Sequence, residues 1–143
     1  MPHIDCTDFL TEVEAPVDAV FKAMTDLQAW PSWTSVITKV KSRTAGPWRE
    51  GYKFVMRTSV TSLPIPVTVL ELEENRLIAW GARNRLLTII HRIHFEPLGP
   101  DRCRVRNHEF IEGVFAKVAG RFMANRINQF DRQMAADLAA RFR

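Results

Sequence analysis

From Val114 to Arg143 the chain has no proline and a single glycine, Gly120, whereas Val36 to Gly113 reads almost throughout as short strands and turns. Within the closing segment Val118, Phe122, Met123, Ile127, Phe130, Met134 and Leu138 recur mostly at three- and four-residue steps. That spacing predicts one long amphipathic helix with a single apolar stripe. At 1.5 Å per residue it would extend roughly 40 Å, enough to cross a small sheet. A strand-rich chain closed by one such helix buries both apolar surfaces by laying the helix along a curved antiparallel sheet. The space between them is a container, so binding of something apolar is the first expectation and catalysis the second.

The preceding elements follow from local signals. Ile4 to Val13 alternates and reads as a first strand. Pro16 then suits the first turn of a helix whose face carries Val17, Val20, Phe21 and Met24, and Pro31 breaks it into a second short helix around Trp30 and Trp33. Val36–Arg43, Tyr52–Val60, Val67–Glu73, Leu77–Arg83, Leu86–Glu96 and Arg102–Glu112 are the remaining strands. The links between them are too short for parallel crossovers, which predicts an antiparallel meander of about seven strands in an α+β fold. No linker, repeat or low-complexity tract interrupts residues 1–143, so one domain is expected.

Strand parity assigns the faces, because alternate side chains point to opposite sides. Arg102, Arg104, Arg106 and His108 share one face of the last strand and are the solvated side. Cys103, Val105, Asn107, Glu109 and Ile111 therefore look inward, as do Leu87, Ile89, His91, Ile93 and Phe95 on the strand before it. A two-residue turn sets His91 opposite Asn107, and a slip of two sets it opposite Glu109; in either register the three are neighbours on an apolar surface. Unpartnered, each buried polar group would cost about 1–3 kcal/mol. They form either a self-satisfying structural cluster or a polar handle that orients a ligand or moves a proton. His91 and His94 form an HxxH pair, but three steps along a strand put the rings on opposite faces, so no metal site is expected there.

Composition narrows the function. Nine Phe and four Trp stand against one Tyr, a skew that suits a greasy interior better than a protein interface. The net charge of +4 is spread over scattered Lys and Arg without a polybasic run, so no nucleic-acid partner is expected. No apolar run nears the ~20 residues of a membrane span, and the first residues lack signal-peptide character. Cys6 and Cys103, without CxxC spacing, read as buried free thiols, and the expected location is the cytoplasm. No HExxH, GxSxG, GxGxxG or Walker sequence is present, and no cofactor is expected.

With these residues in place the chain resembles the START-like superfamily, also called SRPBCC or Bet v 1-like. The likeness rests on Ala15-Pro16-Val17-Asp18-Ala19-Val20-Phe21, Trp30-Pro31-Ser32-Trp33, His91-Arg92-Ile93-His94-Phe95 and Asn107-His108-Glu109-Phe110-Ile111-Glu112-Gly113. It is most similar to the bacterial polyketide cyclase/dehydrase and lipid-transport branch. The resemblance implies the helix-grip fold, with a deep cavity between the sheet and the last helix. Its members include lipid and sterol carriers, quinone-binding proteins and aromatase/cyclases, so fold alone does not fix function.

Expected ligand contacts are Ile89, His91, Ile93, Asn107, Glu109, Trp80, Trp33, Met123, Ile127 and Phe130. The leading expectation is a monomer or homodimer that binds a lipid, quinone or polyketide-like aromatic. The alternative is a cyclase/dehydratase in which His91 and Glu109 relay protons. A third expectation is an interaction module that meets an acidic partner or anionic membrane through Arg92, Arg102, Arg104 and Arg106. The loops carrying Trp48 and Leu63–Pro66 are the candidate gates of the cavity.

Overall fold

The computed structural model describes residues 3–143. Strand β1 (His3–Val13) is followed by helix α1 (Val17–Thr25), a 3-10 turn (Leu27–Ala29) and helix α2 (Trp30–Trp33). Strands β2 (Ile37–Ser42), β3 (Lys53–Thr58), β4 (Ile65–Glu73), β5 (Leu77–Arg83), β6 (Thr88–Gly99) and β7 (Arg102–Glu112) come next, and helix α3 (Val114–Arg141) ends the chain. The strands form one antiparallel sheet in the order β1-β7-β6-β5-β4-β3-β2. This is the helix-grip arrangement.

A tight turn joins β4 to β5, where Asn75 takes φ 61°, a left-handed conformation that asparagine tolerates. Register shifts interrupt β1 at Asp5/Thr7, β4 at Val69/Glu71 and β6 at Pro97/Gly99. Such bulges bend their strands and raise the local twist, which curves the sheet around α3.

The sheet's outer face is solvated as parity requires, and its arginines are neutralised in place. Arg106 reaches Asp8 at 2.8 Å, Arg92 reaches Glu71 at 3.3 Å, Arg104 lies 3.9 Å from Glu96, and Arg102 pairs with Glu12. The inner face carries the main core, where Val20, Trp30, Phe54, Ile78, Ile93 and Val105 are almost fully buried beside Met134 and Leu138 of α3. A smaller cluster of Cys6, Ile111, Ala116 and Ala124 lies beneath the first half of α3. Both cysteines are buried and free.

The stripe on α3 departs from expectation in that first half. Met134 and Leu138 are buried and Met123, Ile127 and Phe130 half-buried, but Val118 is 83% exposed and Phe122 68% exposed. The helix instead buries Ala116, Gly120 and Ala124, spaced four apart. A Cβ on Gly120 would collide with Cδ1 of Ile4, so the absent side chain lets α3 lie close against β1. The small residues face the sheet and the large apolar ones face out. Gly113, at φ 112°, turns β7 into α3 with the Leu86 carbonyl packed where a side chain would stand.

Candidate ligand-binding site

A cavity of about 160 Å³ lies between the sheet and α3. Trp30, Phe54 and Trp80 form its buried end; Met56, Val60, Ile65 and Pro66 supply one wall, and Ile127, Phe130 and Met134 of α3 supply another. Ile89, His91 and Glu109 reach it from β6 and β7. A cavity near this size, ~150 Å³, accommodates one benzene ring.

At its inner end the predicted polar residues meet. His91 sits directly across from Glu109, the slipped register, with Asn107 opposite Ile93. Nε2 of His91 lies 2.8 Å from Oδ1 of Asn107, and Trp80 donates its indole N–H to Nδ1 at 3.2 Å. Indole is a donor only, so Nδ1 accepts and Nε2–H donates to Asn107. Oε1 of Glu109 stands 3.4 Å from that same Nδ1, and Oδ1 of Asp131 stands 3.8 Å from it.

Asp131 is the residue that sequence reasoning missed. It is 2% exposed, and no donor among the described residues reaches either carboxylate oxygen. Burial pushes its carboxyl well above the usual range, and the neighbouring Glu109 carboxylate pushes the same way. The protonated form of Asp131 is therefore the favoured one. A signal was present in the sequence: Ile127, Asp131, Met134 and Leu138 follow helical spacing, which sets a carboxylate in the middle of the buried stripe.

His91, Glu109 and Asp131 offer ligand atoms within 4.8 Å of one another, a donor set that a divalent cation can use. The imidazole nitrogen aimed at this point already accepts the Trp80 N–H, so the set offers no free imidazole lone pair to a metal. Burial, then the charges of Glu109 and Asp131, push the nearby Cys6 thiol up to about 12, which keeps it protonated and unreactive.

Of the remaining expected contacts, Trp80, Ile89, Ile127 and Phe130 line the cavity. Ile93 and Asn107 lie behind it, around a void of about 10 Å³ that Asp131 also borders. Trp33 packs on the main core and Met123 on the smaller cluster, so neither forms a wall. The gate residues divide similarly. Ile65 and Pro66 line the cavity, but Trp48 stacks on Tyr52 and Phe54 at 5.8 and 5.6 Å, behind the lining rings.

The family described as polyketide cyclase / dehydrase and lipid transport matches residues 9–143. The chain belongs to that family. No curated protein matches it. Among solved structures, this family member is similar to a START superfamily protein from Mycobacterium smegmatis, at 17% identity and TM-score 0.71, with 95% of each chain covered. It is similar to the di-domain ARO/CYC BexL of the BE-7585A biosynthetic pathway at 15% identity and TM-score 0.76, over 98% of this chain and 46% of that one. It also resembles norcoclaurine synthase from Thalictrum flavum at 13% identity and TM-score 0.71, over 97% of this chain and 86% of that one. At such identities the likeness is one of fold.

Proposed function

We propose that this family member binds a small apolar molecule, a lipid tail, quinone or polyketide-like aromatic, in the cavity under α3, with its polar end against His91 and Glu109. The observation that carries this reading is an apolar cavity that meets a single hydrogen-bonded polar cluster at one end. Burial of apolar surface supplies affinity, and the cluster supplies orientation. The indole N–H of Trp30, which lines the cavity, has no acceptor among the described residues and adds a free donor. A ligand larger than one ring requires α3 or the β3–β4 loop to move aside.

Native mass spectrometry of gently purified protein, beside a denatured control, tests this reading and reads the oligomeric state. A stoichiometric adduct is expected, and Ile89→Asp should abolish it. An adduct that survives Ile89→Asp would place the ligand outside this cavity.

The raised carboxyl of Asp131 favours a second reading, acid–base catalysis of the cyclase/dehydratase kind. A proton held at Asp131 would pass by way of Glu109, which lines the cavity, to a carbonyl or hydroxyl oxygen of the ligand, and the pair would take a proton back from an adjacent carbon. BexL is an aromatase/cyclase and norcoclaurine synthase has been solved with dopamine and hydroxybenzaldehyde, so the fold accepts aromatic substrates. Retained ligand binding with lost turnover in Glu109→Gln would support catalysis; turnover that persists in Glu109→Gln/Asp131→Asn would end it.

A further inference from the structure

The connections β3–β4, β5–β6 and β7–α3 all fall at one end of the sheet, where α3 begins. The cavity opens toward that end, where its wall residues Pro66 and Arg126 are exposed and Val60, Ile65 and Ala82 half-buried, while Trp30, Phe54 and Trp80 are buried. This end also carries exposed apolar side chains. Val114, Phe115, Val118 and Phe122 are 55%, 49%, 83% and 68% exposed, and Leu86 and Leu63 in the adjoining loops are 49% and 69% exposed. At 100° per residue the four helix positions fall within an arc of roughly 100°, a single face of α3. The Phe115 N–H donates to the Leu86 carbonyl at 3.2 Å, which joins the β5–β6 loop to that face.

The charged side chains on the segments that carry this patch are all cationic. On the helical wheel Lys117 and Arg121 flank the apolar arc on one side and Arg126 on the other, and Arg83 and Arg85 stand in the adjoining turn. All five are exposed, and none forms a salt bridge among the described residues, unlike Arg92, Arg102, Arg104 and Arg106 of the outer face. No acidic residue occurs from Gly113 to Phe130, from Ser59 to Pro64 or from Asn84 to Leu87. These five cations alone exceed the chain's net charge of +4, so the rest of the molecule has no net positive charge. Five exposed cations thus surround the cavity mouth on segments that carry no acidic residue, whereas the arginines of the sheet's outer face are each paired with a carboxylate.

We infer that the mouth of the cavity docks on an anionic lipid surface, with Val118 and Phe122 entering the boundary between headgroups and acyl chains and Lys117, Arg121, Arg85 and Arg126 meeting the headgroups. An apolar helix face flanked by Lys and Arg binds such an interface by burial plus charge attraction. The inference deepens the apolar-ligand reading: it makes the bilayer the place where the ligand is collected or delivered, and α3 the element that faces it.

Flotation with vesicles of neutral phosphatidylcholine, with and without phosphatidylglycerol, tests the inference on the full chain. Binding is expected only with phosphatidylglycerol, and should fall at least about tenfold on raising salt to about 0.5 M. Val118→Asp/Phe122→Asp should lose binding by a similar factor, as should Lys117→Glu/Arg121→Glu, while Leu10→Asp, exposed on β1, should leave it unchanged. All five substituted positions are exposed, so circular dichroism and Tm should match the parent. Absence of binding at low salt would overturn the inference, as would binding indifferent to Val118→Asp/Phe122→Asp. A dimer that dissociates in that variant would also overturn it, by assigning the face to a second copy. Native mass spectrometry of the same variant separates the two readings: a retained adduct with lost flotation leaves the ligand reading standing. Flotation of a parent protein that never carries an adduct sinks the ligand reading alone.

Discussion

The indole N–H of Trp80 points at Nδ1 of His91 across 3.2 Å and leaves that ring nitrogen without a proton. The bond reverses the usual expectation for a histidine beside two carboxyls, which is that it donates to one of them. Here the imidazole donates to neither carboxyl and is held by Trp80 on one side and Asn107 on the other.

Trp80→Phe keeps most of the ring and removes the donor. It should cost about 1–3 kcal/mol, from the lost hydrogen bond and the small void. Nitrogen-15 spectra of the His91 ring should show the Nε2–H tautomer in the parent and a mixture including Nδ1–H in the variant. A parent ring already protonated at Nδ1 would contradict the geometry.

The buried carboxyl of Asp131 makes stability pH-dependent. Its folded-state pKa is raised, so its protonated form is the favoured one, and the stability this gives is present at low pH and lost as pH rises through the raised value. Asp131→Asn has the same shape and no titration. It should change Tm least below about pH 4, where the carboxyl is protonated folded or unfolded, and raise it progressively as pH goes toward about 9. A Tm that falls equally at both would mean the carboxylate is needed in charged form.

These two predictions mark where the sequence was readable and where it was not. Strand alternation is strict, so His91, Asn107 and Glu109 could be set on one inward face before any register was known. Asp131 escaped because a carboxylate on a helix with four arginines is by default a solvated one. Only its spacing from Ile127 and Met134 argued otherwise. Val118 and Phe122 misled in the opposite sense. Hydrophobicity proposes which stripe is buried, but closeness of approach decides it, and Ala116, Gly120 and Ala124 let the backbone of α3 come nearer to β1 than Val or Phe would. Trp33 and Met123 are likewise apolar and inward, yet they serve packing and not the cavity wall.

The close approach at Gly120 is itself testable. Gly120→Val puts a branched side chain against Ile4 and should destabilise the fold by about 1–3 kcal/mol, read as a lower midpoint in urea unfolding. Gly120→Val combined with Ile4→Ala should recover part of that loss. No recovery would mean that the cost lies in the helix backbone.

His91→Ala removes the partner of both Trp80 and Asn107 but opens no path to solvent. If the cluster orients a ligand, affinity should fall about tenfold or less, since the apolar walls remain. Isothermal titration with the compound released from the native protein checks this. Complete loss of binding would make the cluster, and not the apolar cavity, the main source of affinity.

The sheet order carries a consequence for how this molecule is made. Among the described residues β1 pairs in the sheet with β7 alone, with Val13 paired to Cys103 and His3 to Glu112. During synthesis the first strand emerges long before the last and waits as an unpaired edge until nearly the whole chain has been translated. Sheet closure is then set by the slowest kind of contact, one between segments far apart in sequence, and the cavity exists only once it has formed. A truncated chain that ends before β7 would leave a sticky strand and no container. Protection of β1 amides in pulse-labelled refolding should therefore arrive together with that of β7, and later than that of the β4–β5 hairpin.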